Sequence, residues 1–318
     1  MKQTPLVSIV LPTYNRQNML LQALESCVTQ TYRPIEIIVV DDGSTDGTDS
    51  RKEKAIIDGS RNDVEIIWIR QENRGVAAAR NTGIRHSTGK YLLFHDSDDI
   101  LDKDKVRLQV EMLEYLGADV CASSQNKIDS NMNVISSYIP AARPNVILSD
   151  LEVKRIHWGT QIFTYKRAIL ENLWQDETLS SGEDAEYAFR VFQQKLKICF
   201  EPRAITYKRI HDDSRLSVID QKKETTYLHI HEKMLKYYRK TGNKALIVEE
   251  QRKLLGRVYS LYASGQKEAA INLFRIIKPF QINNSISLLE APVLLLGNIY
   301  LFYFTRKMNE IIGRFISR

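Results

Sequence analysis

Cysteine is scarce in this sequence: there are three, Cys27, Cys121 and Cys199, and none belongs to a C-x-x-C pair. That spacing excludes a disulfide framework and a thiolate zinc site, and it fits a reducing compartment. A secretory leader is not expected either, since Met1–Pro5 is polar and Val7–Leu11 is too short for the apolar stretch of a signal peptide. A cytoplasmic protein is therefore expected. Internal repeats and low-complexity tracts are absent. No signature of a nucleic-acid recognition module occurs, so nucleic acid is not expected as a partner. What remains is ordinary for a folded globular chain: 318 residues, 43% hydrophobic and 26% charged. That length allows one large core with an appendage, or two domains.

The net charge of +6 is unevenly spread. Residues 1–220 hold 28 Lys/Arg against 32 Asp/Glu, whereas 221–318 hold 17 against 7. A mildly acidic body with a basic tail suggests that the tail meets something anionic, with a membrane surface preferred. Within that tail, Ile286–Phe304 is apolar and aromatic and is followed by Arg306 and Lys307. Glu290, Pro292 and Asn298 interrupt the run, which weakens a spanning helix. A helix lying in the interface, with basic flanks on anionic lipid, fits better. A helix packed on the rest of the protein is the third reading.

The first half alternates short β-rich runs with helical stretches. Strands are expected at Val7–Pro12, Ile35–Val40, Val64–Ile69, Tyr91–Phe94 and Asp119–Ser123, with helices at Asn18–Gln30, Thr48–Asp58, Val76–His86 and Lys103–Leu116. This alternation predicts βαβ units and a mainly parallel α/β sheet with helices on both faces. In such sheets ligands bind beyond the carboxyl ends of the strands. The middle is more irregular, with a hairpin expected near Val134–Ile139, a helix over Glu183–Gln194 and a strand pair around Ile198–Tyr207. After His211 the pattern becomes helix upon helix: Lys222–Arg239, Lys244–Ala263 and Lys267–Ile277. The domains predicted are a catalytic domain over 1–218 and a helical region over 219–318.

The candidate site residues lie at the predicted strand ends. Pro12–Asn15 closes the first strand; Asn15 or Asn18 suits a helix cap, while Tyr14 could form a wall for a flat base. Asp42 closes the second strand within Asp41-Asp-Gly-Ser-Thr-Asp46, where a carboxylate could accept a base N–H or ribose hydroxyls and Gly43 lets the chain turn. The same residues are good turn and cap chemistry. His95-Asp-Ser-Asp-Asp99 closes the fourth strand. Read as extended, it places Asp96 and Asp98 on the same side. Three carboxylates so close raise one another's pKa unless a cation offsets them, and oxygen ligands favour Mg2+ or Mn2+. Arg80, in Asn73–Gly83, could balance those carboxylates or touch a phosphate. Glu183 and Asp184 open a predicted helix, where carboxylates suit the dipole or supply a single base to an incoming hydroxyl. His211 could be a metal ligand, a phosphate contact or simply structural.

In their order and spacing, Val7–Asn15, Val39–Asp46, Asn73–Gly83, His95–Asp99, Gly182–Asp184 and Tyr207–Ser214 resemble the family 2 glycosyltransferases of the GT-A fold. The resemblance spans about the first 215 residues. It implies an inverting transfer from a nucleotide sugar, usually UDP-linked, with Mn2+ or Mg2+. Position by position, it implies that Pro12, Tyr14 and Asn15 line the nucleotide site and that Asp42 reads the base. It places Asp96 near the ribose, Asp98 on the metal, Asp184 as base with Glu183 beside it, and His211 at the metal or diphosphate. The processive members' Q-x-x-R-W is absent after the candidate base, so one residue added per visit is expected. The acceptor expected is a saccharide or lipid-linked saccharide in cell-surface polysaccharide or glycan synthesis. Two other classes compete. Nucleotidyl transfer usually needs a Gly-rich loop after the first strand, and Pro12–Gln17 holds no glycine. An inactive nucleotide-sugar-binding or scaffold protein would have less need of both Asp98 and Asp184.

Overall fold

The structure, a computed structural model, describes residues 3–51, 63–140, 142–149, 159–179, 182–210, 221–263 and 265–277. The chain divides into two compact units, Met1–Lys223 and Glu224–Arg318.

Among the described residues, the first unit is organised around one mixed, nine-stranded sheet. Strands β1 (Val7–Thr13), β2 (Ile35–Asp41), β3 (Glu65–Arg70) and β4 (Tyr91–Phe94) pair in parallel in the order β3-β2-β1-β4. Every residue of β1, β2 and β4 is buried, which explains their near-continuous apolar sequences: helices cover both faces. These helices are α1 (Gln17–Val28), α2 (Val76–His86), α3 (Lys105–Leu116) and α4 (Glu183–Gln193). Alternate strand residues serve different cores. Ile9, Leu11, Ile37 and Val39 share one with Leu20 and Leu24 of α1 and Val106 and Val110 of α3. Val10, Ile38, Val40 and Phe94 share the other with Ala79 and Ile84 of α2 and Tyr187 and Val191 of α4.

The far half of the sheet adds β5 (Ile100–Leu101), β6 (Val120–Ile128), β7 (Val134–Tyr138), β8 (Phe163–Lys166) and β9 (Ile198–Arg209). Here the parallel pattern gives way. β8 lies antiparallel between β4 and β6, β7 makes a hairpin with β6, and β5 lies antiparallel on β9. β6 and β9 are parallel. Because β8 opposes both neighbours, β4 and β6 run the same way, and the carboxyl ends of β1, β2, β4 and β6 emerge on one edge. The sequence suggested a strand pair over Ile198–Tyr207; the structure has one strand. The register jumps from Ser123↔Glu201 to Ser124↔Ile205, so Pro202 sits in a bulge where its missing N–H breaks no ladder.

α2 lies close against β1 because Ala77, Ala78, Ala79 and Gly83 are small and buried. A Cβ at Gly83 would stand 2.1 Å from Val10 Cγ1. Alanine normally favours a helix over glycine by about 1 kcal/mol, but overpacking a buried contact costs roughly 1–3 kcal/mol. Gly83→Ala is therefore expected to lower stability, by about 1 kcal/mol or more in urea denaturation. A stabilised Gly83→Ala chain would show that α2 can lift from β1 at little cost.

The second unit carries α5 (Gln221–Lys240), most of which lies in it, α6 (Lys244–Ala263) and α7 (Lys267–Ile277). Its core includes Met234, Leu235, Leu254, Val258, Leu273 and Phe274. His231 of α5 pairs with the buried Glu250 of α6 and lies against Tyr227, with ring centroids 4.0 Å apart and planes tilted by 52°. Among the described residues no helix is long and apolar enough to cross a membrane. The tail segment Ile286–Phe304, His211, and the part of the Thr48–Asp58 helix beyond the short turn Thr48–Arg51 lie outside the described residues.

Candidate active site

The loops after β1 and β2 are tied together by backbone and short polar side chains. The Asp42 N–H donates to the Thr13 carbonyl (2.9 Å), and the Asn15 N–H donates to Ser44 Oγ (2.9 Å). Asn15 Oδ1 accepts the Thr45 N–H at 2.8 Å, with Asn15 in the left-handed region at φ 51°, a conformation asparagine tolerates. Asn15 is thus a latch between the two loops. The cap for α1 comes from the second loop instead, where Asp46 Oδ2 accepts the Gln17 N–H at 3.0 Å. Pro12 is buried at the end of β1, and Tyr14 beside it is partly exposed.

Asp41 and Asp42 are both buried but hold different partners. Asp41 accepts the Ser44 N–H (2.9 Å) and Arg70 Nη1 (3.0 Å), fixing the turn. Asp42 accepts the Arg74 N–H (3.0 Å) and Gly75 N–H (2.8 Å) at the start of α2, plus Gln71 Nε2 (2.8 Å). Its carboxylate therefore caps α2 from the end of β2. Gly43, at φ 79°, makes room for this turn: a Cβ there would meet Asn73 N at 3.0 Å.

The acidic segment after β4 is a turn rather than an extended run, closed by the Asp99 N–H donating to the Asp96 carbonyl at 3.1 Å. Its carboxylates consequently have different partners. Asp96 accepts Arg80 Nη2 at 2.9 Å. Asp98 is 3.9 Å from Arg16 Nε, with its side chain 27% exposed. Asp99 is buried and accepts the Arg209 N–H at 3.0 Å. Their electrostatics separate accordingly. Burial alone would raise Asp96, but Arg80 and Lys208 outweigh it and hold its pKa below the usual carboxylate range. Burial, Asp96 and Asp98 push Asp99 well above that range. His95 is pushed down to about 4 by burial, so at neutral pH it adds no positive charge to the turn.

Glu183 and Asp184 form the first residues of α4. Tyr187, one turn on, packs edge-on against Phe94 of β4 (centroids 6.3 Å) and Tyr165 of β8 (6.4 Å). That aromatic contact seats the start of α4 over the carboxyl end of β4. Arg80 Nη1 donates to Asp184 Oδ1 at 2.7 Å and lies 3.9 Å from Glu183 Oε1. Burial alone would lower the Arg80 guanidinium, but Asp184, Asp96 and Glu183 outweigh it and raise its pKa. Glu183 is raised by its own burial and by Asp184, against the pull of Arg80. Asp96, Glu183 and Asp184 are thus gathered around one guanidinium, with Asp98 two residues from Asp96 on the same turn.

Several residues here were not singled out by sequence. Lys208 acts on Asp96 and Asp99, Gln175 accepts Arg80 Nη1 at 3.4 Å, and Asn81 joins α2 to the Gln175 backbone (2.8 Å) and Glu177 (2.9 Å). Lys208 belongs to the Tyr207–Ser214 motif, so its position held the signal. Gln175 and Glu177 lie in an irregular stretch that offers no pattern.

The fit of a divalent cation can be judged from the donor set. Mg2+ and related ions commonly bind through one or two carboxylates and take their other ligands from substrate phosphate and water. Asp98, partly exposed beyond β4, suits that role. Among the described residues no three His, Cys, Asp or Glu side chains form a closed metal cage.

Comparison with known proteins agrees with this architecture. A family model described as glycosyl transferase family 2 matches residues 8–174. Glycosyltransferase GlyA of Streptococcus pneumoniae is 31% identical over 193 residues, covering 59% of this chain and 25% of GlyA. The chain spans about a quarter to three tenths of the length of the first curated relatives it matches. Among solved structures, S. aureus TarS 1–349 in complex with UDP-GlcNAc superposes with TM-score 0.71 at 17% identity, over 93% of this chain and 89% of that one. The Pyrobaculum calidifontis mannosyltransferase PcManGT, solved with GDP-Man and Mn2+, gives TM-score 0.58 at 17% identity, over 99% and 87%.

Proposed function

Since the chain belongs to glycosyl transferase family 2, we propose that it transfers a sugar from a UDP-sugar to a hydroxyl of a saccharide or lipid-linked saccharide, with inversion and one residue per visit. The setting is the synthesis of a cell-surface polysaccharide or glycan. The observation that carries the reading is the gathering of Asp96, Glu183 and Asp184 around Arg80 at the strand edge where Asp42 and Asp98 also lie. Donor handling would fall to the β1, β2 and β4 ends, and acceptor activation to the start of α4.

In this reading Pro12 and Tyr14 flank the base, Asn15 holds their loop, Asp42 accepts the base N–H, and Asp96 orients the ribose. Asp98 would hold Mn2+ or Mg2+, which when bound supplies Lewis-acid charge to offset the departing diphosphate. Asp184 takes the proton of the acceptor hydroxyl as that oxygen attacks the anomeric carbon from the side opposite the leaving UDP. The new bond is acceptor oxygen to anomeric carbon; the bond broken joins that carbon to the UDP oxygen, and the electron pair leaves with UDP. Glu183 stands beside the base. Its own burial and the neighbouring Asp184 raise its pKa against the pull of Arg80.

Ligand binding to the folded state raises its melting temperature. A thermal-shift screen of UDP- and GDP-sugars with Mn2+ is expected to show a rise of several degrees for a UDP-sugar, since saturation at 100 times Kd contributes roughly 2.7 kcal/mol. The shift should shrink when Mn2+ is chelated. Release of free UDP on adding saccharide acceptor separates transfer from binding alone. Absence of any UDP-sugar shift together with no UDP release would overturn the assignment.

A further inference from the structure

We infer that Arg80 is a positioning residue: its buried guanidinium joins the donor-side carboxylate Asp96 to Asp184 and so fixes where the proton acceptor stands. The inference rests on the reading of Asp184 as the base given above. Arg80 was expected to face the nucleotide or to balance carboxylates, and its surroundings favour the second. It is 2% exposed, and its two Nη atoms are engaged by Asp184 at 2.7 Å, Asp96 at 2.9 Å and Gln175 at 3.4 Å. A phosphate contact would require those N–H groups to leave the carboxylates that hold them.

The planar fork of arginine is what the geometry uses. One Nη serves a residue from the turn after β4, the other a residue from the start of α4, 88 positions later in the chain. A single rigid group thereby sets the separation of the two carboxylates. Arg80 is itself held firmly, because α2 is capped by Asp42 at Gly75 and packed on β1 through its alanines. Asn81, the next residue, fastens the same helix to the backbone of Gln175. A lysine keeps the charge but is a point donor on a flexible stem, and it cannot hold both carboxylates in the same geometry.

The test uses the full chain as wild type, Arg80→Lys, Asp184→Asn and the double variant. Two quantities are read: UDP affinity with Mn2+ by calorimetry, and kcat for UDP release from UDP-N-acetylglucosamine with water as acceptor. Displacement of a reacting group by an ångström can cost about 100-fold, so Arg80→Lys is expected to lower kcat by about that factor. UDP affinity should stay within about threefold, a split that marks loss of transition-state rather than ground-state interaction. Residues acting through one another are non-additive, so in the Asp184→Asn background the lysine should cost less than about threefold more. A matching loss of UDP affinity with kcat intact would overturn the inference and make Arg80 a nucleotide contact. If Asp184→Asn is inactive while Arg80→Lys turns over normally, the positioning role fails and the base assignment survives. If Asp184→Asn is itself active, the base assignment fails first. A crystal structure of the Arg80→Lys chain, or of Arg80→Gln if lysine prevents folding, needs no turnover. Asp184 is expected to shift by about 1 Å or more, and an unmoved carboxylate would overturn the inference.

Discussion

Asp184→Asn is expected to lower sugar transfer by roughly 10²–10⁴-fold, the range that a general base contributes, while UDP binding with Mn2+ stays within a few-fold of wild type. The substitution conserves shape and removes the one property the reaction needs, a lone pair able to keep the acceptor's proton. The placement of Asp184 suits it to receive that proton, since its side chain is 33% exposed at the first turn of α4, whereas Glu183 beside it is 16% exposed. Arg80 loses one partner in the variant but keeps Asp96 at 2.9 Å and Glu183 at 3.9 Å, so the fold should survive. Steady-state release of UDP in the presence of acceptor, compared at saturating donor, checks the prediction. Turnover near the wild-type rate would transfer the role to Glu183.

The second large effect is expected at Asp98. Asp98→Ala should lower Mn2+-dependent turnover by about 10²–10³-fold, the scale on which a single group opposing developing charge is felt, and should also weaken UDP binding where Mn2+ is present. The three aspartates of the turn explain why one position matters so much. Asp96 is engaged by Arg80, and Asp99 is buried against the Arg209 backbone. Asp98, about as exposed as Asp96, lies at the longer distance of 3.9 Å from Arg16 Nε, so its carboxylate can turn toward a cation. Removing it leaves the other two committed elsewhere. Paramagnetic titration of Mn2+ against the chain with and without UDP gives a readout independent of activity. Unchanged Mn2+ uptake in Asp98→Ala would place the cation on other residues.

Much of this arrangement can be read from the sequence, for physical reasons that differ by element. β1, β2 and β4 are buried on both faces, so their apolar runs carry a strong signal, and the helices between them show the longer helical period. β8 is four residues and β5 two, too short for either period to emerge. β9 looks interrupted because Pro202 lies inside it, and only the register jump opposite Ser123 and Ser124 makes room. The acidic turn shows a limit of a different kind. Its composition marks the place, but its local conformation is set by the hydrogen bond from Asp99 to Asp96 and by Arg80 arriving from α2. Which partner each carboxylate takes follows from those tertiary contacts, as does the union of Asp96 with Asp184 across 88 residues. Asn15, read from sequence as a cap or a nucleotide contact, also makes a cross-loop tie through its bond to Thr45, which spacing alone cannot reveal.

The reversed strand β8 has a consequence for how such a protein can change. It seats itself between β4 and β6 and returns the chain to the sheet ahead of α4. Sequence inserted or exchanged between the hairpin β6–β7 and β8 thus begins and ends on strands already locked in place. Changes in length there are expected to leave the aspartate turn and the helix bearing Asp184 in their mutual registration.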